Sequence, residues 1–244
     1  MKKLYLIFLI SLFNITLIAQ DAQEIIKKTE QALRGKSSTG EMEMTVVKKE
    51  WTRKLRLKFW EKGKEKTVVV ILSPAKERGV ATLKIGNNVW NYLPSIERTI
   101  KLPPSMMSQS WMGSHFTNDD LVRESSLERD YNAKLIKQDN EKYYLELIPK
   151  PEAMVVWGKI ELEIDKKTYL PLKAYYYDER GKKIRSLIYS DIRKTGKRYF
   201  PFLWTLYPEK KPGEKTEIKV INIKFDISIP DRIFSLRYLK DLVR

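Results

Sequence analysis

RGVATLKIGNNVWNYLPSIERTIKLPPSMMSQSWMGSHFTNDDLVR occupies residues 78–123 and sets the terms for the rest of the chain. Two short alternating runs, Val80 to Ile85 and Val89 to Leu93, flank Gly86-Asn87-Asn88, the pattern of a β-hairpin. A third run, Arg98 to Leu102, follows Pro94-Ser95. Strand periodicity then stops at Pro103-Pro104, and Met106, Met107, Trp111, Met112 and Phe116 crowd into a segment rich in small polar residues. Large apolar side chains in a loop either plug a core or line a surface that binds something apolar, because a free loop would leave them in water. The stretch closes on Thr117-Asn118-Asp119-Asp120-Leu121-Val122. There Thr117 can cap a helix, and Asp120, three residues on, can complete a capping box.

Upstream, Asp21 to Arg34 repeats apolar residues at helical spacing (Ala22, Ile25, Ile26, Ala32, Leu33), with Asp21 as N-cap and Gly35 as C-cap. The period then becomes two and stays there. Met42, Met44 and Val46 alternate with Glu41, Glu43 and Thr45. Leu55, Leu57 and Phe59 alternate with Lys54, Arg56 and Lys58, so both runs read as half-buried antiparallel strands. Lys66 to Leu72 contains Val68-Val69-Val70-Ile71-Leu72, which suits a strand buried on both faces. Downstream, Tyr131 to Gln138 and Tyr143 to Ile148 flank a turn at Asp139-Asn140. Further runs follow at Val155 to Ile164, Leu170 to Tyr177, Ile184 to Ile192, Tyr199 to Tyr207 and Glu217 to Phe225, separated by short turns with Gly or Asp. Ile229 to Phe234 ends the fold with a helical turn. The expectation is a mainly β (α+β) protein: a single antiparallel sheet of about eleven or twelve strands curled into an open or closed barrel, with no βαβ unit and no internal repeat.

Residues 1–20 carry Lys2 and Lys3, then an apolar run from Leu4 to Ile18 and Ala19, the layout of a secretory signal peptide. The mature protein, residues 21–244, is then exported and soluble, in the periplasm if the cell has two membranes. Lys and Arg number 47 against 31 acids, and only two of those bases fall in the signal segment. Such a surface suits anionic lipid head groups. Nucleic acid is not expected as a partner, because the bases are scattered without a basic tail and export removes the chain from DNA. There is no cysteine and only one histidine, which leaves no thiolate metal site and no disulfide framework.

A curled sheet of this size holds more interior than its own side chains fill, so helices plug it or a cavity remains for a ligand. Trp60, Trp90, Tyr92, Met106, Met107, Trp111, Met112 and Phe116 are the candidates to line such a cavity or its lid, since aromatic rings and flexible, polarisable methionines make adaptable apolar surface.

Taken together, the signal segment, the N-terminal helix, the long meander, RGVATLKIGNNVWNYLPSIERTIKLPP, SMMSQSWMGSHFTNDDLV and the closing IPDRIFSL resemble the outer-membrane lipoprotein-sorting family of LolA/LolB-like periplasmic carriers. The loop motif is carried by Gly113, Ser114, Phe116, Asp119, Asp120 and Leu121. The resemblance implies a half-open barrel with a helical plug or lid over residues 21–244 that holds lipoprotein acyl chains or phospholipid. It also implies, as partners, an inner-membrane transporter of RND/MMPL type and an outer-membrane acceptor. One departure is His115, where compared members often carry an acid.

Two other readings stand beside the carrier. A lipid hydrolase would need Ser114, Ser105 or Ser108 as nucleophile with His115 as base and Asp119 or Asp120 orienting the ring. Adjacent residues on an extended chain point apart, which counts against Ser114 with His115, and no Gly-x-Ser-x-Gly elbow occurs. Asp119 and Asp120 are more simply first-turn acids favoured by the helix dipole. The other reading is a docking module for a membrane transporter, with a filled core and a basic contact face.

Overall fold

The computed structural model describes residues 22–123 and 127–241. The signal segment and the N-cap expected at Asp21 therefore lie outside the described residues. Helix α1 (residues 22–34) ends as its sequence predicts: Gly35 takes φ +66° and donates its N–H to the Gln31 carbonyl at 3.1 Å. Ala22, Ile25, Ile26 and Thr29 form its buried stripe.

The strands are β1 Ser37–Val47, β2 Thr52–Lys62, β3 Lys66–Ser73, β4 Ala81–Ile85, β5 Asn88–Leu93, β6 Arg98–Lys101, β7 Tyr131–Gln138, β8 Lys142–Pro149, β9 Lys159–Asp165, β10 Pro171–Tyr177, β11 Lys183–Thr195, β12 Arg198–Pro208 and β13 Lys215–Phe225. All join one 13-stranded antiparallel sheet in the order β6-β5-β4-β3-β2-β1-β13-β12-β11-β10-β9-β8-β7. The expected count of eleven or twelve was low because every alternating run, even the four-residue β6, forms a ladder of its own.

Two meanders, β1 to β6 and β7 to β13, meet where β1 pairs with β13. One hydrophobic cluster contains Ala22 and Ile26 of α1 together with Leu57 of β2, Ile71 of β3, Leu145 of β8, Leu162 of β9 and Ile218 of β13. A single helix reaches both wings only if the sheet curls around it. The sheet order places no pairing between β6 and β7, so the barrel is open.

β3 is buried on both faces, as its apolar run predicts. Val69 and Ile71 enter the core around α1, while Val68 and Val70 pack outside the curl against Ile229, Ile233, Phe234 and Leu239. Those last residues belong to the C-terminal segment, which adds a short helix α4 (Leu236–Asp241) beyond the expected helical turn.

Because β6 and β7 are opposite edges, the chain between them must cross the gap. That connection carries the loop from Pro103 to Thr117 and two short helices, α2 (Asn118–Arg123) and α3 (Leu127–Asp130). The capping box forms: the Thr117 N–H donates to Asp120 Oδ2 at 2.6 Å, and the Asp120 N–H donates to Thr117 Oγ1 at 3.2 Å.

Candidate functional site

Helix α1 lies in the concavity and leaves a small cavity on each side. One, about 80 Å³, is walled by Met42, Leu57, Phe59, Val69, Trp204 and Val220. The other, about 50 Å³, lies toward Tyr131, Trp157, Ile160, Leu162, Tyr176 and Tyr189, with Asp119 and Asp120 at its margin. Glu30 and Leu33 of α1 border both. These walls follow from strand alternation: Leu57 and Phe59 on β2, Ile218 and Val220 on β13, face inward while their charged neighbours face water.

A polar cluster seats the helix. Glu30, 3 % exposed, accepts the Glu128 N–H at 3.0 Å and pairs with the Lys64 ammonium. Burial pushes its carboxyl pKa up, against the opposing pull of Lys64 and the Glu128 amide. Lys84, 2 % exposed on β4, donates to the Lys64 carbonyl at 2.6 Å, and burial brings its pKa down to about 8. Gln23 donates to the carbonyls of Glu128 and Tyr131 at 2.7 and 3.2 Å and accepts from the Ala133 N–H. Arg34 pairs with Glu61 at 3.1 Å.

The connecting loop seals the barrel at the end where β1 meets β2 and β13 begins. Arg185 of β11 makes two bonds to Asp120, lies 4.2 Å from the ring centres of Trp157 and Tyr176, and donates to the His115 carbonyl at 3.2 Å. His115 is wedged against β13 and the end of β1: Nδ1 meets Thr216 Oγ1 at 2.8 Å, and Nε2 lies 2.9 Å from Glu214 Oε2 and 2.6 Å from Lys48 Nζ. Burial lowers the imidazole pKa, and the hydrogen bond to Glu214 only partly offsets it. His115 and Lys48 together hold the Glu214 carboxyl at about 2. Arg53 of β2 donates to the Met112 carbonyl. Gly113 takes φ +71°, and its missing side chain leaves room for the Arg53 guanidinium, 3.3 Å from where a Cβ would stand.

None of the eight apolar candidates lines either cavity. Trp111 and Phe116 are buried in the core around α1, with Met112 against it. Met107 joins Val89 and Leu102 in a small cluster, with Met106 beside it. Tyr92, Trp90 and Trp60 pack on the other face of the sheet, under the C-terminal segment. Of the motif residues, Ser114 is buried and its Oγ bonds the backbone of Phe116. Asp119 donates its backbone N–H to the Met107 carbonyl. The Leu121 side chain lies outside the described residues. The pairing a hydrolase needs does not form at His115, whose ring nitrogens face Thr216, Glu214 and Lys48 rather than a serine. Arg185 went unnoticed in the sequence because one arginine among alternating polar residues carries no sign of its distant partner.

The comparisons agree with this architecture. A family model described as "Uncharacterized protein" matches residues 63–241. No curated protein sequence matches significantly. A LolA superfamily protein from Nitrosomonas europaea is 25 % identical, with TM-score 0.76, covering 89 % of this chain and 98 % of that one. A domain from Vibrio parahaemolyticus described as an outer membrane lipoprotein-sorting protein domain shares 21 % identity at TM-score 0.81, covering 91 % and 99 %. A DUF1329 family protein from Desulfovibrio piger shares 20 % at TM-score 0.82, again covering 91 % and 99 %. The chain belongs to the family whose model spans residues 63–241, and its curled, open sheet is that of the LolA-like, outer-membrane lipoprotein-sorting proteins.

Proposed function

We propose that this protein is a periplasmic carrier that shields acyl chains of lipoproteins or phospholipids between α1 and the concave face of the sheet. The observation that carries the reading is the apolar space on both sides of α1, bounded by a helix that polar side-chain contacts seat on the sheet. Ligand sites for molecules of this size occupy roughly 300–1,000 Å³. The two cavities, about 80 and 50 Å³, are too small as they stand for an acyl chain. Loading therefore moves α1 outward, exchanging its buried apolar stripe for the cargo's methylenes. The burial lost and gained is alike in kind, which lets the exchange run in either direction.

In this reading the loop that carries Met106, Met107, Trp111, Met112 and Phe116 closes one end of the compartment, with Trp111 and Phe116 in the core around α1, and α1 is the movable wall. Trp60, Trp90 and Tyr92 back the sheet from its other face, under the C-terminal segment. The basic surface meets anionic membranes on both sides of the transfer, with an inner-membrane RND/MMPL-type transporter as donor and an outer-membrane acceptor. Residues 1–20 direct export.

The test is native mass spectrometry with lipid extraction on the mature protein purified from a Gram-negative periplasm. Co-purified phospholipid or acylated protein, reduced in a folded Met42→Asp variant, is the expected result. A protein that emerges empty and takes up no lipid from vesicles overturns the carrier reading.

A further inference from the structure

The two ends of the barrel differ. The loop from Pro103 to Thr117 closes the end where β13 begins, through Arg185 with Asp120 and His115 with Thr216. At the other end, where β13 finishes at Phe225 and β11 turns into β12, there is an open groove of about 850 Å³. Lys28 of α1, Lys197 of the β11–β12 turn, Arg198 at the start of β12 and Lys224 of β13 line it, and Asp226 is the one acid among its described lining residues. That carboxylate is already engaged by Arg198 at 2.7 Å and by the Lys36 N–H at 2.7 Å. The rim thus carries four cations and one acid, which Arg198 pairs, and leaves Lys28, Lys197 and Lys224 facing solvent.

The groove adjoins the apolar interior. Ile223 lines both the groove and the 80 Å³ cavity. Phe225, at the groove floor, meets Phe200 of the cavity wall edge to face at 5.3 Å between ring centres. Charge at the mouth and hydrocarbon surface behind it match an amphiphile that enters tail first and leaves its anionic group outside.

Resting on the carrier reading, the geometry points to a phosphate-binding mouth: Lys28, Lys197, Arg198 and Lys224 receive the phosphate of a glycerophospholipid whose acyl chains occupy the space beside α1. The cargo class is accordingly an anionic phospholipid. The site also couples headgroup to helix, because Arg198 donates to the Gln31 carbonyl at 3.2 Å near the C-terminal end of α1. A phosphate drawing on that guanidinium competes with the helix for it.

The experiment compares phosphatidylglycerol with diacylglycerol of identical chains, each offered in mixed micelles to the mature protein and to Lys28→Gln/Lys197→Gln/Lys224→Gln. Binding is read by native mass spectrometry, with circular dichroism as the control for folding. The wild type is expected to prefer the phospholipid about tenfold, the effect of a few partly exposed charge contacts. The triple variant is expected to lose that preference while still taking up diacylglycerol. Equal binding of both lipids by the wild type, or a preference that survives in the variant, overturns the phosphate mouth and leaves the carrier standing. Uptake of neither lipid overturns both. Inorganic phosphate binding as tightly as phosphatidylglycerol marks a site for free phosphate and also overturns the assignment to lipid.

Discussion

Arg185 Nη1 and Nη2 each stand 2.5 Å from an oxygen of Asp120, in a two-bonded ion pair whose side chains are 4 % and 10 % exposed. The pair ties the first turn of α2 to β11. The connection between the two sheet edges is thereby clamped onto the wing it would otherwise only pass over. Breaking one half of a buried pair strands the other charge, at about 3–5 kcal/mol. Asp120→Ala and Arg185→Met should each cost that much in urea unfolding. The double variant Asp120→Ala/Arg185→Met should cost clearly less than their sum, and simple additivity would show that the pair does not act as a unit.

Acid should loosen the sealed end. Burial lowers the folded pKa of His115 below its ordinary 6.5, so the unfolded chain binds the proton more readily and stability declines as pH falls below that value. Glu214 follows in a lower window: its folded pKa of about 2 lies under the ordinary 4.5, so its contribution is full above 4.5 and lost toward 2. In thermal melts from pH 7 to 3, His115→Gln should flatten the upper part of the decline and Glu214→Gln the lower part. Wild-type slopes in both variants would refute the assignment.

Lys84 gives a window of the same sign at higher pH. Its folded pKa of about 8 lies below the ordinary 10.5, so between those values the unfolded state holds more protons and stability rises with pH. The gain across that window is roughly 2–3 kcal/mol. Lys84→Met should remove this rise from unfolding curves collected between pH 8 and 10.5, whatever it does to stability at pH 7.

Glu30→Gln removes the charge that pairs with Lys64 while keeping the shape of α1. A hydrogen bond to a charged group is worth about 1.5–3 kcal/mol, so amide exchange across residues 22–34 should speed up by roughly tenfold or more. Lipid loading should accelerate with it. Faster exchange without faster loading would mean that α1 is not the moving wall.

Gly40 of β1 faces β13 with no room for a side chain: a Cβ there would stand 2.2 Å from the Asn222 carbonyl oxygen. Backbone cannot yield as a flexible side chain can, so Gly40→Ala should destabilise by about 1–3 kcal/mol in differential scanning calorimetry. An unchanged melting temperature would show that β13 can shift at its irregularity opposite Glu41 and Met42 of β1.

By itself the sequence determined the elements. Period-two runs mark the strands, Thr117 and Asp120 mark the start of α2, Gly35 marks the end of α1, and the unbroken apolar run in β3 announces burial on both faces. Each of these is a local property, readable over a few residues because it depends on backbone geometry and nearest neighbours. Only the tertiary structure decided which face of each strand became the inside. Alternation separates Phe59 from Trp60 but does not say that Phe59 meets the cavity while Trp60 lies under the C-terminal segment. It likewise decided that Arg185 finds Asp120 across 65 residues and that Lys28, Lys197 and Lys224 share one mouth. Those relationships arise from the curl of the sheet, a sum of small twists over 13 strands that no short window of sequence contains.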